Sequence, residues 1–196
     1  MTKKEILWRE ILHQAIDNKK IEFTQKDLSE KFRISLSTVF NALKVPRQSG
    51  AVKVTGRNFL IQDKEKFLYF WATQRNLTKE IIYSTNVAKN PNEIEGLMPQ
   101  AIIFGAYSAY AKKYRESPAD YDKVYIYADP SQLAEVKKRF PQEKGQKNLF
   151  VLKADACLKD FGENTPDVQT FADLWNLSDW YAKDFLKCLK EKMNLI

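Results

Sequence analysis

The chain has 196 residues, is 44% hydrophobic and 13% aromatic, and holds only 6 Gly and 7 Pro. That composition excludes a disordered or fibrous protein and suffices for one large domain or two small ones. The net charge of +7 is unevenly placed: residues 1–75 hold 15 Lys/Arg against 8 Asp/Glu, whereas the remainder holds 17 of each.

A basic front joined to a neutral remainder points to a polyanion-binding module attached to something else. There is no apolar run of about 18 residues, so no membrane span is expected. Charges inside "MTKKEILWREIL" break the pattern of a secretory leader. Cys157 and Cys188 lack CxxC spacing, and His13 is the single histidine. Two reduced thiols in a cytoplasmic protein without metal or cofactor are therefore expected.

In chain order, "EILWREILHQAID" spaces Ile6, Leu7, Ile11, Leu12, Ala15 and Ile16 at helical intervals, with His13 between them as a partly exposed structural residue. After the short apolar "IEF", Thr24 is a good N-cap, and Asp27 at N3 can act as the acid of a capping box. The helix 25–32 turns Leu28 and Phe32 inward, and "RIS" breaks it. Ser35 or Ser37 caps the next helix, whose buried side is Val39, Phe40 and Leu43, and which Pro46 is expected to end. In "GAVKVTGRNFLI", Val52 and Val54 alternate with Lys53 and Thr55. Gly56-Arg57-Asn58 then turns the chain, and Phe59 and Ile61 return, which is a hairpin with a basic tip.

Three helices followed by a basic hairpin is the order of a winged helix-turn-helix, so residues 1–75 are expected to form a DNA-binding domain. The polar face of its second paired helix suits the task chemically. Asn41 can pair with adenine, Ser35, Ser37 and Thr38 can meet base edges, and Lys44 and Arg47 can hold phosphates. Lys53 and Arg57 would reach double-stranded DNA from the wing.

Asp63 caps "KEKFLYFWATQR", where Phe67, Leu68, Phe70 and Trp71 form an apolar surface that reads as core or as a homodimer interface. Residues 76–92 are more polar, with a break at Asn90-Pro91, and read as a connection. From 93 to 196 the elements alternate. "AIIFGAYSAYAKKY" is a strand running through Gly105 into a helix, "KVYIYAD" a strand, "PSQLAEVKKRF" a helix opening at Pro130, and "NLFVLKA" a strand. Thr165 is expected to cap the helix in "TPDVQTFADLWNL", and Ser178 the closing helix. The whole is expected to be α+β, with an N-terminal winged helix-turn-helix, then a small α/β domain with a mixed sheet and C-terminal helices.

Several stretches resemble known families. "DLSEKFRISLSTV" is similar to the helix-turn-helix of bacterial and archaeal regulators. "FGAYSAYAKKYRESPADYDKVYIYAD" resembles the first motif of the nucleotidyltransferase superfamily, with Gly105 at the glycine and Asp120 and Asp122 at the acidic pair. In that motif paired carboxylates bind metal ions that bridge the nucleotide phosphates. Ala106 departs from the Gly or Ser of its second position, Lys123 follows the acidic pair directly, and Asp155 is the best third carboxylate. Together with "VQTFADLWNL" and "WYAKDFLKCL", these stretches look like the AbiEi-type antitoxin and regulator family of type IV toxin–antitoxin systems.

That resemblance implies an autorepressor that binds operator DNA, a cognate toxin as partner, and a non-catalytic nucleotidyltransferase-like second domain. Two other readings stay open. One is an active metal-dependent nucleotidyltransferase acting on nucleic acid through Asp120 and Asp122. The other is an interaction module that docks through Phe67, Phe70 and Trp71.

Overall fold

A capping box starts the first helix: Thr2 Oγ1 accepts from Glu5 N at 3.3 Å, and the Glu5 carboxylate accepts from Thr2 N at 2.9 Å. In this computed structural model, which describes residues 1–195, the α+β chain divides at Arg75/Asn76. The first unit runs α1 (Lys3–Ile16), β1 (Glu22–Thr24), α2 (Gln25–Phe32), α3 (Leu36–Gln48), β2 (Val52–Thr55), β3 (Asn58–Ile61) and α4 (Lys64–Gln74). Its antiparallel sheet has the order β1-β3-β2. Leu7, Trp8, Ile11, Leu12, Leu28, Val39, Leu43, Phe59, Phe67 and Trp71 are buried within it. Thr24 caps α2 by accepting from Asp27 N at 3.0 Å, and Asp63 caps α4 by accepting from Lys66 N at 2.8 Å. His13 is half-buried and pairs with Asp17 one turn on, at 2.5 Å.

Pro46 does not end α3. The helix continues to Gln48, with Pro46 buried inside it. A proline four residues beyond Ala42 cannot donate to the Ala42 carbonyl, which a helical residue with an N–H would do. The indole N–H of Trp8 takes that place, donating to Ala42 O at 2.9 Å in the buried core. The expected buried side of α3 is also corrected. Val39, Ala42, Leu43 and Pro46 face inward, while Phe40 is 47% exposed. One residue past Val39 is about 100° around the helix, enough to carry Phe40 off a stripe spaced by three and four residues.

The second unit carries α5 (Pro91–Gly96), α6 (Ala106–Tyr114), α7 (Pro130–Arg139), α8 (Asp167–Trp175) and α9 (Ala182–Lys192). Its strands β4 (Ile81–Thr85), β5 (Ile103–Gly105), β6 (Val124–Ala128) and β7 (Leu149–Lys153) form one mixed sheet in the order β4-β7-β6-β5. Only the β6–β7 pair is parallel. The stretch expected as a connection therefore contributes β4, an edge strand with a bulge between Ile81 and Tyr83. Val124 and Ile126 pack with Leu149, Val151, Val136 and Phe140 in one cluster. On the opposite face Tyr125 stacks on Phe150 and meets Tyr107 edge-on.

Two expected caps move. Pro166 is the N-cap of α8, and the Thr165 hydroxyl instead meets Thr170 Oγ1 at 2.7 Å in the interior. Tyr181 precedes α9: Ala182 N donates to Asp179 O at 3.0 Å in the turn before the helix, and the Asp179 carboxylate faces Tyr107 and Lys123. Neither Cys157 nor Cys188 forms a disulfide bond. No helix among the described residues is long and apolar enough to cross a membrane.

A recurring trio neutralises charge in this unit. Asp179 lies between Tyr107 Oη and Lys123, Asp167 between Tyr114 and Lys113, Glu95 between Tyr121 and Lys112, and Glu116 between Tyr110 and Lys192. Each carboxylate thus accepts from one phenol and pairs with one ammonium. Burial first, and then the adjacent carboxylate, pushes the phenols of Tyr107, Tyr110 and Tyr121 above their ordinary pKa.

Replacing Trp8 with Phe keeps an aromatic side chain but removes the N–H and shrinks the buried ring, and is expected to cost at least about 1–3 kcal/mol in urea unfolding. In a Pro46→Ala background the restored backbone N–H can satisfy Ala42 O, so the cost of Trp8→Phe should shrink; equal costs in both backgrounds would disprove the substitution of one donor for another. The raised phenol pKa values stabilise the fold fully below the unfolded value of about 10, and that contribution is lost as pH rises above it. In an alkaline titration, phenolate absorbance from Tyr107, Tyr110 and Tyr121 should appear only together with loss of helical circular dichroism. At the acid end, burial opposes the charge of Glu5, but the Thr2 N–H and the Arg75 guanidinium outweigh it and hold its carboxyl below the usual range. The Tm difference between the wild type and Glu5→Gln should therefore narrow as pH falls below about 4.

Candidate nucleic-acid interface

The N-terminus of α3 collects three hydroxyls. Ser35 is the N-cap and accepts from Thr38 N at 3.2 Å. Its Oγ also lies 2.8 Å from Ser37 Oγ and 2.9 Å from Thr38 Oγ1. Ser35 and Ser37 are exposed and Thr38 is half-buried. Hydroxyl rotors can exchange these mutual bonds for a ligand's acceptors or donors without moving the backbone.

Farther along α3, Phe40, Asn41, Lys44, Arg47 and Gln48 face a groove of about 460 Å³ whose other wall is Val52 and Val54 of β2. Among the described residues, no carboxylate lines it. The Arg47 guanidinium lies over the Phe40 ring, 5.1 Å from its centroid, seven residues along the same helix face. That contact holds the cation in place and leaves Lys44 exposed beside it. Leu36 and Val45 are exposed as well, at 54% and 45%.

The hairpin positions the remaining cations. Thr55 pairs with Asn58, so Gly56 and Arg57 alone form the loop. Gly56 has φ +62 and Arg57 has no positive φ, the pattern of a type II′ turn that favours glycine first. Arg57 projects at the exposed tip. Lys53 pairs with Leu60, whose other neighbour is Glu22, so it lies on the sheet face opposite Val52 and Val54. Asn41, Lys44 and Arg47 are brought together in the groove, the hydroxyls lie at the N-terminal end of the same helix, Arg57 is at the tip, and Lys53 faces away. The sequence reading missed Phe40 and Gln48 as groove residues. The spacing of Val39, Ala42, Leu43 and Pro46 was the signal that would have placed Phe40 outside.

The acidic alternative is arranged differently. Asp120 and Asp122 lie in the loop before β6 and are exposed. Asp122 Oδ1 accepts from Tyr181 Oη at 2.5 Å. Asp155 follows the end of β7, and β6 and β7 run parallel from Val124/Leu149 to Ala128/Lys153. Asp122 and Asp155 are thus at opposite ends of the strand pair, on the order of 13 Å or more apart. No group of three or more His, Cys, Asp or Glu suited to a metal ion occurs among the described residues.

Gly105 has a packing reason of its own. A Cβ there would meet the Tyr127 ring at 2.8 Å, and Tyr127 Oη donates to the buried Asp173 carboxylate at 2.6 Å. The next residue, Ala106, enters α6 with φ +48, a strained conformation for a non-glycine residue. The aromatic face of α4 is likewise occupied. Phe67 and Trp71 are fully buried, and Phe70 meets Trp8 edge-on at 5.1 Å.

Compared with protein-family models, with curated proteins and with solved structures, the chain has no significant match in any of the three.

Proposed function

We propose that this protein is a sequence-specific DNA-binding transcriptional regulator whose first unit is a winged helix-turn-helix. The observation that carries the reading is the groove between α3 and β2, where Asn41, Lys44 and Arg47 converge and which no carboxylate among the described residues lines. The order α1-β1-α2-α3-β2-β3 supports it, since this is the element order in which the second paired helix enters the major groove and the hairpin reaches the adjacent backbone. The charge excess of residues 1–75 falls on this same unit, which ends at Arg75. Phosphate attraction at Lys44, Arg47 and Arg57 would supply salt-sensitive affinity, and Asn41 with the α3 hydroxyls would supply base contacts.

The narrower reading is an antitoxin-type autorepressor whose second unit is a non-catalytic nucleotidyltransferase-like domain. It draws on the resemblance of "FGAYSAY" and "ADLW" and on the placement of Asp120, Asp122 and Asp155, which do not converge. Its mark is an adjacent reading frame encoding a toxin that co-purifies with the chain.

Fluorescence anisotropy on a labelled duplex from the protein's own upstream region tests the DNA reading. Binding should weaken steeply between about 50 and 200 mM salt, and Lys44→Ala or Arg57→Ala should each lower the salt slope by roughly one. Lys53→Ala, on the far sheet face, should change it least. No binding even at about 50 mM salt would overturn the proposal.

A further inference from the structure

Phe40 is a large apolar ring, 47% exposed, on the helix that also presents Asn41, Lys44 and Arg47 to the groove. Burying it costs no polar group its partner, yet the fold leaves it outside, beside Asn41 in the groove. The Arg47 guanidinium lies over the ring at 5.1 Å, a cation–π contact that favours this exposed placement. Leu36, one turn earlier on α3, extends the exposed apolar strip toward the hydroxyl cluster.

The major groove offers few apolar features. The C5-methyl of thymine is the principal one, and apolar side chains recognise it by contact. Adenine, on the opposite strand of the same pair, presents N7 and N6–H₂, which a single Asn amide matches bidentately. Successive residues on α3 therefore carry the two side chains suited to the two halves of A·T pairs. Lys44 and Arg47, about one and two turns farther along the helix, match phosphates beside them. Resting on the DNA-binding reading, we propose that α3 selects A·T-containing sites, with Phe40 contacting a thymine C5-methyl and Asn41 the N6/N7 edge of adenine. A protein partner would find the same apolar strip, but the groove's cations and the absence of a lining carboxylate complement a polyanion.

The test starts from a random 20-base-pair duplex library selected on the full chain, followed by titration of the enriched site in three syntheses. In the first, thymidine is replaced by deoxyuridine, which lacks only the methyl; in the second, adenine by 7-deazaadenine, which lacks N7; the third is unmodified. The enriched site should contain A·T pairs, and deoxyuridine should weaken binding about three- to fivefold for each contacted methyl. Phe40→Ala should abolish that deoxyuridine effect while keeping the 7-deazaadenine effect, and Asn41→Ala should do the reverse. Phe40→Leu should retain part of the methyl dependence. Both positions are exposed, so the variants should keep the wild-type Tm, which is measured alongside. Enrichment of a G·C site, or equal binding to the thymidine and deoxyuridine duplexes, overturns this inference and leaves DNA binding intact. Failure to enrich any sequence overturns the regulator reading itself and this inference with it.

Discussion

The placement of α3 depends on one hydrogen bond, from the Trp8 indole to the Ala42 carbonyl. Pro46 removes the backbone donor that would normally close that turn, and a proline ring inside a helix also crowds the carbonyl four residues back. An orphaned buried carbonyl would cost on the order of 1–3 kcal/mol and would favour ending the helix there. Trp8 satisfies it from α1, so α3 continues to Gln48 and is tied to α1 at the same point. The continuation also shapes the groove, which Arg47 and Gln48 help to line. Arg47 and Gln48 lie beyond the proline, and without that last stretch of helix Arg47 would not lie over Phe40 on one face.

The two units treat charge in opposite ways. In the second, carboxylates are enclosed by a phenol and an ammonium, which leaves a balanced surface and a polar network that rigidifies the layers. In the first, Lys44 and Arg47 line a groove without an acid, so their field is directed outward. A net charge summed over the chain conceals this difference: the second unit has equal numbers of acids and bases, and four of its carboxylates are paired locally.

Much of the architecture was legible in particular residues. Thr24, Asp63 and Pro130 marked helix starts because short polar side chains and a fixed φ have few other good uses before an apolar periodic run. The alternation in "KVYIYAD" placed Val124 and Ile126 on one face and Tyr125 on the other. Illegible were features set by a distant partner. Pro46 reads as a stop until Trp8 is seen beside Ala42. β4 reads as connection because "IIYST" lies among polar residues, and its pairing with β7 comes from more than 60 residues away. Ser178 looks like a cap, but Asp179 is drawn to Tyr107 and Lys123, and the turn follows it. Of the candidate site, Asn41, Lys44, Arg47 and Arg57 were read from residue type alone. Phe40 was assigned inward because hydrophobicity suggests burial without fixing the angle around a helix.

By itself, then, the sequence determined most of the order of helices and strands, with β1, β4 and α5 excepted, together with the charge division at residue 75 and the polar chemistry of α3, since these follow from local propensity, capping and composition. Only the tertiary structure decided which side of each element faces outward. It turned Lys53 away from the groove, brought Val54 to its wall, exposed Phe40 and buried Trp71, because burial is settled by whichever surface packs against the element and not by the element alone. It also separated Asp122 from Asp155, as strand direction in a mixed sheet is fixed by long-range pairing that no local pattern encodes.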